Sequence, residues 1–206
     1  MKELYNNYKK EITKKNTILL LVLIIFLIGI IFGSIYITIL SNNQKSDIMH
    51  NISLYFKNID KISFDDKLDI FKNSLYSNLL YVVSIWSLGI SVVGLPIIFI
   101  IIFFKSFTLG FSVSSIFAKY KLKGFLKAIL YIFPSRIIFT IYIIFLASYS
   151  IIISIKVFKT AFKKETINFK MFMGRYVFLL VIGILISILC SLYDAFIDAI
   201  VLQLIK

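Results

Sequence analysis

The sequence predicts an all-α integral membrane protein, a compact bundle of about five transmembrane helices, and three observations carry that reading. Hydrophobic residues make up 60% of the 206-residue chain and mean hydropathy is +0.94, whereas an average soluble domain is roughly 45–50% apolar. The apolar residues run together in stretches close to the about 20 residues that a helix needs to cross a hydrocarbon core. The net charge of +13 is gathered in clusters beside those stretches. Charge so placed fits topology signals and contacts to anionic headgroups, with the lipid bilayer as partner. It leaves no folded basic face of the kind that a nucleic-acid partner requires.

Residues 1–16 form a basic segment that the positive-inside rule assigns to the cytoplasm, and residues 17–206 form a single membrane domain. The first span, Thr17–Leu40, has no charged residue. It is longer than a signal-peptide core and no Ala-x-Ala site follows, so it is expected to stay as an anchor. Gly29 and Gly33 lie four apart on one face, where a second backbone can approach. Residues 41–74 are the sizeable polar loop, expected outside the cytoplasm. There Lys45, Lys57, Lys61, Lys67 and Lys72 balance Asp47, Asp60, Asp65, Asp66 and Asp69. Within it Ile48, Ile52, Tyr55, Phe56 and Ile59 follow an amphipathic-helix rhythm. Ile52, Tyr55 and Phe56 are therefore candidate partner contacts, or the apolar side of a helix lying on the membrane surface.

The next apolar run, Tyr76–Phe104, is about 43 Å long as a straight helix, more than the core thickness. Gly94-Leu95-Pro96 is the expected kink, since proline lacks a donor and disfavours helix just before it. Ser84, Ser87, Ser91 and Gly94 make a stripe of small residues for helix packing, and Gly183 and Ser187 repeat the device on the last span. Ser106–Ala118 is too short for a standard span and is expected to cross as a short third segment or to re-enter. A further kink is expected at Pro134. The spans Ile137–Ile155 and Tyr176–Tyr193 complete the set.

Nothing in the sequence assembles into a catalytic centre, and neither a cofactor nor a metal is expected. His50 is the lone histidine and stands in the polar loop. Cys190 is the lone cysteine, so an intramolecular disulfide is excluded. No His-Glu-x-x-His and no Gly-x-x-x-x-Gly-Lys motif occurs. The charges nearest the apolar runs are Arg136 and the pair Asp194/Asp198. Charge within a membrane is costly and often functional. Asp194 and Asp198 share a helix face, where they either meet an ion or a partner's cation or mark the helix's exit from the bilayer.

A set of ordered motifs resembles the stage II sporulation protein M family. They are Leu27–Gly33, Ile85-Trp86-Ser87-Leu88-Gly89-Ile90-Ser91, Gly94-Leu95-Pro96-Ile97, Lys105-Ser106-Phe107-Thr108-Leu109-Gly110-Phe111, Lys123-Gly124-Phe125 with Pro134, and Leu192-Tyr193-Asp194-Ala195-Phe196. Ser106 stands where the family usually has glycine, and Ala199 where a proline often follows the terminal motif. The resemblance implies a five-span protein of the mother-cell membrane at the sporulation septum, acting in forespore engulfment. It implies a scaffold without cleavage activity that recruits or positions the peptidoglycan hydrolases, stage II sporulation proteins D and P. From another class, a transporter or channel component draws on the Gly94–Pro96 break, the short third segment and Asp194/Asp198.

Overall fold

A computed structural model describes residues 2–58, 63–163 and 169–197 of the chain, with side chains described in 13, 15–54, 63–121, 134–160 and 173–196. Every regular element among the described residues is helical: α1 (Lys2–Ile39), α2 (Asn42–Asn58), α3 (Phe64–Gly89), α4 (Gly94–Lys163) and α5 (Phe169–Leu192), which ends in a π-turn at Tyr193–Ile197. Helices are the expected outcome in lipid, where each backbone donor and acceptor needs a partner within its own segment. Among the described residues, four segments are long and apolar enough to cross a membrane: Lys15–Ile39, Gly94–Lys121, Pro134–Thr160 and Met173–Phe196.

The boundaries differ from the sequence reading in ways that have local causes. The basic segment 1–16 is continuous with the first span in α1. The polar stretch 41–74 holds α2 and the first turns of α3. Ser63 starts α3 through a capping box: its hydroxyl accepts from Asp66 N–H at 3.2 Å, and its own N–H donates to the Asp66 carboxylate at 2.9 Å. Asp65 and Asp66 then sit in the first turn, where the helix dipole favours negative charge.

The run Tyr76–Phe104 is not one kinked helix. α3 stops at Gly89, a tight connector follows, and α4 begins at Gly94. Ser91 N–H donates to Leu88 C=O at 3.0 Å and Gly94 N–H to Ser91 C=O at 3.2 Å. Any Cβ at Gly94 would meet the Leu88 carbonyl, so the chain turns here on a residue without a side chain. Pro96 falls in the first turn of α4, where its missing donor has no intrahelical partner to lose. It starts a helix instead of bending one. As a consequence Ser106–Ala118 is no short or re-entrant segment; it is the second half of the 28-residue span Gly94–Lys121.

α4 is a hairpin of two helical arms. Lys121, at φ 53° and ψ −140°, is its break, and the only non-glycine residue with positive φ among the described residues. Lys105 on the first arm lies over the ring of Phe139 on the second, as antiparallel arms require. Pro134 is inside the helix, with backbone angles that remain helical on both sides. The second arm, Pro134–Thr160, is the centre of the bundle, with its most apolar stretch far more buried than those of the other three. Phe139, Ile143, Leu146, Ala147 and Ile151 supply its core faces.

α1 packs on the first arm of α4 and runs parallel to it. Gly29 faces Ser106 and the Phe103 carbonyl, Gly33 faces the Phe107 backbone, and Gly110 faces the Ile30 backbone. Ser34 donates to Gly110 C=O at 3.4 Å, and Tyr36 meets Phe107 and Phe111 edge-on. α2 rests beyond the end of this pair, with Ile52 packed on Ile116.

Gly33→Leu should force α1 off Phe107 and lower stability by about 3 kcal/mol, the upper range for overpacking. The lipid-facing Ile31→Ala should not. Thermal unfolding of the two variants in mild detergent tests the difference. At the other end, the Ser63 bonds hold the Asp66 carboxyl below its ordinary pKa. Its stabilising effect is therefore complete above the ordinary value and is lost as pH falls through the lower, folded one. Amide-exchange protection of residues 64–68 should drop in that acidic window, and Asp66→Asn should start lower and stay flat with pH.

Candidate functional site

Among the described residues two polar features stand inside the bundle, and they do different things. The first ties helices together. Tyr176 donates to the Trp86 carbonyl at 2.5 Å, while Trp86 Nε1 donates to the Tyr176 carbonyl at 3.1 Å and the two rings stack with centroids 5.3 Å apart. Ser150 closes the cluster at 3.0 Å from the Tyr176 hydroxyl, and Gly89 leaves room for both. Ser154 donates to Ser91 C=O at 2.7 Å, and Tyr142 to Leu179 C=O at 2.6 Å. These bonds join α3, the second arm of α4, and α5.

The second feature is a cavity of about 360 Å3 between α3, both arms of α4, and α5. Its wall carries Lys105, Arg136 and Asp194, with Asn73, Ser77 and Asn78 among the neutral polar groups. Asp194 is held from two helices: Ser74 donates to one carboxylate oxygen at 2.6 Å, and Ser135 donates to the other. Asn78 Nδ2 donates to Ser191 Oγ at 3.3 Å, and the Cys190 thiol to Ser135 C=O at 3.3 Å. Lys105 rests its ammonium on two ring faces, 4.2 Å from Tyr81 and 4.9 Å from Phe139. No hydrogen bond or ion pair to Lys105 occurs among the described residues, where the one ion pair is Lys72–Asp69 on the surface of α3. The serine hydroxyls it contains at Asp194 are donors to a carboxylate.

The candidate residues fall into several places. Gly29 and Gly33 lie on the buried face of α1, and Gly183 is buried against Tyr142 and Val82. Ser187 is buried and donates to Gly183 C=O within its own helix at 2.7 Å. The small-residue stripe expected on the second span is divided by the connector. Ser91 precedes α4 and Gly94 begins it, while Ser84 is half-buried and Ser87 exposed, with the Ser87 hydroxyl on Ser84 C=O at 3.1 Å. The face that α3 buries is instead Asn78, Val82, Ile85 and Gly89.

Among the candidate partner contacts, Ile52 is partly covered by Ile116, and the side chains of Tyr55 and Phe56 lie outside those described. Asp194 faces the cavity; Asp198 lies outside the described residues. Lys105 was missed as a site residue because the apolar run was ended at Phe104 and the next segment begun at Ser106, which made it look like the end of a span. With the break at 90–93, it stands eleven residues into a 28-residue span. That is about 16 Å along the axis, near mid-membrane.

Membrane-length helices packed around a charged internal cavity define a multi-pass helical membrane protein. Within that class the chain belongs to the stage II sporulation protein M family, whose model matches residues 22–201. No curated protein and no solved structure matches it.

Removing the carboxylate shared by Ser74 and Ser135 should be costly, because bonds to a charged group contribute about 1.5–3 kcal/mol each. Asp194→Ala should lower thermal stability by more than Ser74→Ala or Ser135→Ala alone. In a double-mutant cycle the two serines should couple through it, and melting curves of the set provide the check.

Proposed function

We propose that the protein is a non-catalytic membrane scaffold that recruits or positions peptidoglycan hydrolases, stage II sporulation proteins D and P, during forespore engulfment. Membership of the sporulation family is the observation that carries this reading. The mother-cell membrane at the septum is the corresponding location.

The proposal includes five crossings, with α3 as the one whose hydropathy falls short of the other four. The parallel packing of α1 and the first arm of α4 supports it. Two spans that run the same way need an odd number of crossings between them. α3 is the available helix, because α2 has 17 mostly polar residues. Polar groups on α3 face the cavity and Ser191, so a less apolar helix is tolerated there. With residues 1–16 in the cytoplasm, α2 and the cavity mouth then face the wall. A helix there, fixed through Ile52, is suited to display a docking surface at a set distance from the membrane.

Deletion of the gene should arrest sporulating cells at a flat or bulging septum, and the intact gene should restore engulfment. Membrane-stain imaging reads both outcomes, and normal engulfment in the deletion strain would remove the proposed role. A transporter or channel component is the second reading, favoured by the cavity around Lys105 and Asp194. On that reading Asp194→Asn should change ion or solute flux in reconstituted vesicles, and unchanged flux would count against it.

A further inference from the structure

We infer that the cavity between α3, α4 and α5 is a binding site for a singly charged phosphate group, held between Lys105 and Arg136. The first argument is charge. At formal charges the described residues of the wall hold two cations and one carboxylate, leaving one positive charge among them. The carboxylate is already engaged by two serine hydroxyls from different helices. The ammonium of Lys105 has ring faces on two sides and no acceptor oxygen among the described residues. The unmet need of the site is therefore for an anion.

The second argument is size and shape. A volume of about 360 Å3 lies within the range of small-ligand sites, roughly 300–1,000 Å3. It admits a phosphate with the first atoms of its ester. A phosphodiester matches the single excess positive charge. Its two non-bridging oxygens can accept from a point-like ammonium and a planar guanidinium at the same time. Asn73 and Ser77 add neutral donors to the wall. Arg136 is exposed at the rim while Lys105 is half-buried, so a group entering the cavity meets one cation and then the other.

A lipid headgroup and a free phosphate share this chemistry, and the site is independent of any role with hydrolases. The test uses the full chain, purified and delipidated in mild detergent. Thermal shift and native mass spectrometry are run with phosphatidylglycerol, with diacylglycerol, and with inorganic phosphate. A phosphate-bearing probe should raise the melting temperature, and diacylglycerol should not. Response to phosphatidylglycerol alone identifies a headgroup; response to inorganic phosphate identifies the free anion.

Apparent affinity should fall about tenfold or more in Lys105→Met and Arg136→Gln, the loss of one charge-assisted bond. It should persist in Lys105→Arg, and in Lys72→Gln on the exposed face of α3. Lys105→Met removes a charge from the membrane, so its melting transition without ligand verifies that it folds. If neither phosphate-bearing probe stabilises the protein more than diacylglycerol, the inference is wrong. Wild-type affinity in a folded Lys105→Met variant overturns it equally.

Discussion

Lipid tails are as apolar as leucine, so burying apolar surface does little to hold one membrane helix against another. What remains is close packing and hydrogen bonding between helices, and this bundle divides the two tasks. α1 is attached to the first arm of α4 mainly by packing, with Gly29, Gly33 and Gly110 bringing backbone against backbone and the Ser34 bond to Gly110 C=O beside them. The remaining helices are joined by side chains that donate to carbonyls of their neighbours: Tyr176 to Trp86, Trp86 to Tyr176, Tyr142 to Leu179, and Ser154 to Ser91. Such bonds average about 0.6 kcal/mol each in membranes. Their effect is therefore on register more than on total stability. Each fixes a height at which two helices must meet, and four of them leave little freedom to slide.

The second arm of α4 can be central because its polar residues are arranged to be internal. Ser148 satisfies itself on Ile144 C=O at 2.8 Å, whereas Ser150 and Ser154 reach other segments. Thr140 is the one buried side-chain polar atom without a partner among the described residues. Large lipid-facing residues such as Ile138, Ile141 and Phe145 occupy the opposite side of the same arm. One helix thus carries a packed face, where serines sit among Phe139, Ile143, Leu146 and Ile151, and an exposed face that is apolar from Ile138 to Phe145.

Much of this was legible from residues. The uncharged run Thr17–Leu40, the clustered lysines and the ordered motifs were enough to reach the helical membrane class and the family. The glycine pair in α1 was visible because its spacing is a property of one helix. The error came at Gly94-Leu95-Pro96. Proline carries the same local signal whether it bends a helix or opens one, and the choice is made by tertiary contact: Gly94 lies against the Leu88 carbonyl, and α3 folds back on α4. That single placement shifted the next span by a dozen residues, hid Lys105 at an apparent boundary and made Ser106–Ala118 look too short. The packed face of α3 was missed for a related reason. Serines drew attention to Ser84 and Ser87, but Val82, Ile85 and Gly89 meet the neighbours, and only the bundle determines which face turns inward.

Lys105 ties the packing to the proposed anion site. A charge at the centre of a bilayer costs about 2.5–3.5 kcal/mol on the insertion scale, and a cation over an aromatic face recovers about 0.5–2 kcal/mol. Tyr81 and Phe139 together can offset much of that cost, and neither gives the ammonium an oxygen acceptor. A leucine would remove the penalty altogether, so the bundle's stability alone does not account for a lysine there. The surrounding elements point the same way. Ser74 and Ser135, from different helices, hold Asp194 in place, and Asn78 ties α3 to Ser191. The walls are thereby fixed in position while the lysine itself is not bonded to them. A polar frame around a cation without a hydrogen-bond partner among the described residues is the arrangement expected of the anion site proposed above, because preorganised donors bind without the cost of ordering them. The register bonds across the bundle thus hold the wall of a cavity as well as a stack of helices.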